Sequence, residues 1–170
     1  MRKIDFEQIK LFLEQCDDNP RIYLGCDSER YRKAETWMAD YIRVIVVHKD
    51  GNNGCRLYGE VITETDFDQK KNRPTMRLMN EAYKLSELYH RVVQFFVEND
   101  IVLPIEMHLD LNPDKKQVSN HVVDQAIGYI RGTCNITPKI KPESWSASYA
   151  ADRFKDVTEK IKQKKEREPQ

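Results

Sequence analysis

A chain of 170 residues suits one compact domain and is tight for two. Its 28 basic and 28 acidic residues cancel, so attraction to a polyanion has to come from a local patch rather than from bulk charge. Cys16, Cys26, Cys55 and Cys134 lie far apart, with no C-x-x-C pair and no Cys/His cluster at zinc spacing, which disfavours a disulfide framework and a zinc site.

The amphipathic opening, MRKIDFEQIKLFLEQ, has no secretory apolar region, and no stretch approaches the roughly 20 apolar residues of a membrane span; a soluble, cytoplasmic protein is expected. Ile4, Ile9, Leu11, Phe12 and Leu13 recur at near-helical spacing, so residues 4–16 predict a short helix that Asp17, Asp18, Asn19 and Pro20 end. RIYLGCDS (21–28) and WMADYIRVIVVHKD (37–50) predict strands. GNNG (51–54) predicts a tight turn, because Gly and Asn tolerate positive φ, and CRLYGEVITET (55–65) returns as the partner strand.

The polar loop DFDQKKNRP (66–74) ends in a proline suited to opening a long helix that runs to about Asn99. Leu78, Ala82, Leu85, Tyr89, Val92 and Phe96 form its core stripe. LPIEMHLDL (103–111) alternates as a strand. A second helix starts at Asn112-Pro113-Asp114, buries Val118, Val122, Ala126, Ile127 and Ile130, and is expected to close at Gly132. TPKIK (137–141) predicts a short strand, and a last helix begins near Ser144 or Ser146.

The order is a helix followed by β-β-β-α-β-α-β-α. Strands that are first antiparallel and then alternate with helices imply an α/β fold: a mixed five-stranded sheet flanked by helices. Residues 1–160 are expected to form a single domain, and 161–170 a charged tail, frayed or disordered.

Four acids sit where such a sheet can gather them. Asp27 ends the first strand, on the opposite face from Cys26. Asp110 shares a strand face with Glu106 and His108, a costly position for a carboxylate if a helix covers it. On the long helix, geometry separates two candidates: Glu81 falls about 60° from Leu78 and about 40° from Leu85, whereas Glu87 falls about 180° from Leu78. Glu81 therefore borders the buried stripe and Glu87 faces water. Asp152 lies at the start of the last helix, where Ala147, Ala150 and Ala151 permit close approach to the sheet, with Asp156 one turn later as its rival. Carboxylates converging from separate segments are what two-metal phosphodiester chemistry needs.

The blocks GCDS (25–28), RLMNEAY (77–83), MHLDLN (107–112) and KPESWSASYAADRF (141–154) resemble those of the YkuK-like family, a ribonuclease-H-like group of bacteria and their viruses. The resemblance covers roughly residues 20–155. It implies a ribonuclease-H-like fold with Asp27, Glu81, Asp110 and Asp152 as catalytic and metal-holding residues, Mg2+ or Mn2+ as cofactor, and hydrolysis of RNA or DNA phosphodiesters.

Arg30, Arg32, Lys71, Arg73 and Lys141 are the candidate phosphate contacts, and Tyr31 and Trp37 the candidate stacking rings. His108 and His121 are candidate proton shuttles, with a plain hydrogen-bonding role as the alternative. A metal-dependent nuclease is the expectation. The alternative is a non-catalytic nucleic-acid-binding or protein-interaction module on the same fold.

Overall fold

In the computed structural model, helix α1 (Phe6–Leu13) starts where Asp5 accepts hydrogen bonds from Glu7 N (3.1 Å) and Gln8 N (3.2 Å), supplying two of the partners a helix start lacks. The structure describes residues 3–16, 19–49, 54–68 and 74–167, with the side chains of Val118 and 161–167 outside that description. Asp17 and Asp18, most of the turn at 51–54, the loop residues 69–73 and residues 168–170 lie outside the described residues.

Strands β1 (Arg21–Lys33), β2 (Thr36–His48) and β3 (Cys55–Thr65) form an antiparallel meander, and β4 (Ile105–Leu109) joins β1 in parallel, giving the order β3-β2-β1-β4. Strand β1 runs five residues beyond the expected Ser28. Its extension pairs with the start of β2 across a turn at Ala34 (φ 52°), and its half-buried and exposed residues carry no apolar alternation for sequence reasoning to detect.

The two faces of the sheet bury different sets. Leu24, Cys26, Tyr41, Ile45, Met107 and Leu109 pack with helices α2 (Thr75–Glu98) and α3 (Val123–Cys134). Ile42, Val44 and Val46 pack against Ala150, Ala151 and Phe154 of the π-helical turn Ser146–Ala150 and of helix α4 (Ala151–Arg167). The period-two switch along each strand is the cause.

Three expectations are corrected. The sheet has four strands among the described residues, not five. At 137–141 only Lys139 bridges His108, with Lys139 N bonded to Met107 O at 2.8 Å and Leu109 N to Lys139 O at 2.9 Å. Lys141 N bonds Leu111 O at 2.9 Å, beyond the end of β4 at Leu109, so the segment meets this edge at isolated points and not as a ladder. Helix α3 is preceded by a 3-10 turn over Val118–Val122, so the expected continuous helix from residue 112 is broken. It ends at Asn135 in the left-handed conformation (φ 54°) rather than at Gly132.

Backbone helix continues through 161–167, the part of the expected tail that the structure describes. No described helix is long and apolar enough to cross a membrane.

Candidate functional site

Register brings the first two acids together. Cys26 pairs with Leu109 in the parallel β1–β4 ladder, so the next residues, Asp27 and Asp110, stand side by side where the ladder ends. Carboxyl ends of parallel strands are where open α/β sheets present their ligand-binding residues. Burial first, and then the Asp110 carboxylate, push Asp27 up to about 6; Asp152 adds to the rise, while the Ser28 N–H (2.8 Å to Oδ1) and Arg77 oppose it.

Asp152 reaches this neighbourhood because the chain before it lies flat on the sheet. A Cβ at Gly25 would stand 2.5 Å from Ser146 O and 2.7 Å from Ala147 N, so only glycine admits the π-helical turn at that contact. Ser146 then anchors the turn. Its hydroxyl lies 3.3 Å from Leu24 O and 2.7 Å from His108 Nδ1, and its N–H donates to the same Nδ1 at 3.1 Å. Asp152 itself is exposed, in the first turn of α4.

Glu81 approaches from the other side. It is 1% exposed on α2, the helix packed on the face that carries Cys26, whereas alternation puts Asp27 on the α4 face. The Ser28 hydroxyl donates to Glu81 Oε1. Arg77 Nη1 donates to Ser28 Oγ (2.5 Å) and Ser28 O (2.9 Å) and stands 3.9 Å from Glu81 Oε1. Glu81 Oε2 is buried with no hydrogen-bond partner among the described residues. Burial and then the Asp27 charge push Glu81 well above the usual carboxylate range. Glu87, by contrast, is 65% exposed, as helix geometry predicts.

The first turn of α2 is held from outside the helix. Asp68 accepts from Met76 N (3.0 Å) and Arg77 N (2.8 Å), and Asp66 Oδ1 accepts from Asp68 N (2.9 Å). Arg30 Nε lies 2.7 Å from Asp66 Oδ2, its Nη2 donates to Asp68 O at 2.7 Å, and its guanidinium sits 4.2 Å from the Trp37 ring centroid. Arg30 and Trp37, expected as a phosphate contact and a stacking ring, therefore spend these groups on each other and on the α2 start. Sequence reasoning missed this role for Asp66 and Asp68, because both precede Pro74, the residue at the helix start, by several positions and reach the first turn only through the fold of the loop.

Tyr31 donates to Asp40 Oδ1 at 3.4 Å. Arg32 is exposed and bonds Ala34 O at 3.2 Å. Lys141 Nζ lies 2.9 Å from Asp110 Oδ1. Lys71 and Arg73 lie outside the described residues.

His108 is fully buried between Glu106 Oε1 (2.7 Å from Nε2) and Ser146. Burial lowers its pKa against the opposing pull of Glu106. Its Nδ1 accepts the Ser146 N–H, so it acts as a neutral strut between β4 and the π-helical turn. His121 Nε2 lies 2.8 Å from Thr75 Oγ1.

An all-oxygen donor set with an unpartnered buried carboxylate oxygen suits a hard divalent cation. As the side chains stand, no three His, Cys, Asp or Glu groups among the described residues are arranged to hold one. One candidate donor is already paired, since Lys141 Nζ lies 2.9 Å from Asp110 Oδ1.

A family model described as Ribonuclease H-like matches residues 5–156. No curated protein matches the chain.

Proposed function

Because this chain belongs to the ribonuclease H-like family, we propose that it is a divalent-metal-dependent nuclease that hydrolyses the phosphodiester backbone of RNA or DNA. The observation that carries the proposal is Glu81: a carboxylate 1% exposed, with one oxygen unpartnered among the described residues and Asp27 as the leading charge acting on it. Such a group is unfavourable unless protonated or matched by a cation.

Asp27, Glu81, Asp110 and Asp152 would hold Mg2+ or Mn2+. Bound there, such ions would supply Lewis-acid chemistry for phosphodiester hydrolysis. The rest falls to the chain. Ser28 and Arg77 hold Glu81 Oε1 and so orient Oε2. The Ser28 N–H holds Asp27 Oδ1. Asp27, pushed up to about 6, keeps a proton in mildly acidic solution, so cation binding there releases protons.

The proposal includes the YkuK-like group as the branch of the family, on the four sequence blocks that resemble it, and a cytoplasmic setting.

The test is cleavage of labelled single-stranded, duplex and hybrid substrates with Mg2+ or Mn2+, for the wild type, Asp27→Asn and Glu81→Gln. Metal-dependent cleavage that both substitutions abolish is the expected result. No cleavage of any substrate, with nucleic-acid binding that survives Asp27→Asn, sinks the enzyme and favours the second reading. That reading is a non-catalytic nucleic-acid-binding module, and the Lys141 ammonium already seated on Asp110 is the feature in its favour.

A further inference from the structure

Beside the acids lies a cleft of about 620 Å³, within the range of roughly 300–1,000 Å³ typical of ligand sites. Its walls come from three segments that long-range folding brings together: the loop after β4 with Asn112 and Asp114, the Lys141–Pro142 turn, and the π-helical turn with Ser148 and Tyr149. π-helical turns of this kind are frequent at functional sites.

Three features suit one kind of occupant. Tyr149 is 76% exposed, so its ring on the rim is open to a stacking partner. Lys141 lines the same cleft and lies 2.9 Å from Asp110, so a phosphate drawn to its ammonium would lie next to the acidic cluster. Ser144, also lining the cleft, is 1% exposed, and its hydroxyl is buried with no hydrogen-bond partner among the described residues. A hydroxyl left unmatched in a native fold asks for a partner. Lys141 is the cation among the residues lining the cleft and Tyr149 the aromatic ring, so the Lys141 side suits the phosphate and the Tyr149 side the base.

We propose that this cleft is a single-strand subsite, which takes the unpaired nucleotide adjoining the scissile phosphate with its phosphate on Lys141 and its base stacked on Tyr149. The proposal rests on the nuclease reading for its neighbour, but its binding chemistry is separate from the metal. A base locked in a duplex shows a protein only its edges, whereas an unpaired base offers its face to an aromatic ring. The subsite therefore selects single-stranded nucleic acid, or a strand end, over continuous duplex.

The test is fluorescence anisotropy of the full chain with labelled single-stranded DNA and RNA oligonucleotides and a blunt duplex of equal length, at low salt with a chelator. The exposure of Tyr149 means that its substitution leaves the fold intact, which circular dichroism checks. Tyr149→Ala is expected to weaken single-strand binding about tenfold, with Tyr149→Phe close to wild type, because stacking needs the ring and not the hydroxyl. Duplex binding should not change.

Equal single-strand affinity for wild type and Tyr149→Ala, an equal loss for duplex, or no single-strand binding by the wild type overturns the subsite. The nuclease reading fails separately: tyrosine-dependent binding without cleavage leaves the subsite standing, and Asp27-dependent cleavage indifferent to Tyr149→Ala leaves the nuclease standing.

Discussion

Asp27→Asn should make the metal-free protein more stable at neutral pH, although it alters the centre of the proposed site. The carboxyl is pushed from 3.8 to about 6 by burial and by Asp110. Below about pH 4 it is protonated in both folded and unfolded chains and contributes no difference. As pH rises from about 4 to about 6, the unfolded chain loses the proton first, so folding is increasingly penalised, and the full penalty holds above that window. At about 1.36 kcal/mol per pH unit, the gap amounts to about 3 kcal/mol. Asparagine removes the charge yet keeps an oxygen that can accept the Ser28 N–H, a bond of 2.8 Å in the wild type.

Urea denaturation across this pH range, with a chelator present, measures the effect. The variant should gain up to about 3 kcal/mol at neutral pH, and the gain should vanish near about pH 3. Added Mn2+ should stabilise the wild type and not the variant. A variant no more stable than wild type at neutral pH, or a gain that persists unchanged in acid, would refute the electrostatic account of Asp27.

Other substitutions probe the elements that assemble the site. Lys141→Met frees Asp110 Oδ1 and should tighten Mn2+ binding a few-fold in calorimetry, since a half-exposed ion pair is worth about 0–1 kcal/mol; weaker binding would mean that Lys141 supports the cation site instead of competing with it. Gly25→Ala drives a methyl group into the Ser146 backbone and should cost about 1–3 kcal/mol or displace the π-helical turn, read by thermal denaturation; an unchanged midpoint would show that the turn yields freely. Ser146→Ala removes the hydroxyl shared by Leu24 O and His108 Nδ1 and should destabilise by about 1–3 kcal/mol, while the Ser146 N–H still reaches His108. Stability equal to wild type would deny that hydroxyl an anchoring role.

The parts of the site that were legible early are those that depend on one element at a time. A 3.6-residue period separates Glu81 from Glu87, and the burial of one and exposure of the other follow directly. Two-residue alternation puts Cys26 in the core and leaves Asp27 facing the other layer. The small residues around Asp152 signal close helix approach, but the complementary gap at Gly25 belongs to a strand more than 120 residues away. Arg30 looks like a surface cation because nothing local shows Asp66, Asp68 and Trp37 gathering around it.

Local periodicity and turn chemistry, both encoded within a few residues, were enough to place from sequence the first helix, the three-stranded meander, the long helix with its buried stripe, and the strand that follows it. Only tertiary structure decided that Cys26 lies across from Leu109, that Lys141 reaches Asp110, and that residues 137–141 contribute a single bridge instead of a strand. Those outcomes depend on which distant segments meet and in what register. They are set by packing across the whole chain, where the free energy of one contact is conditional on all the others.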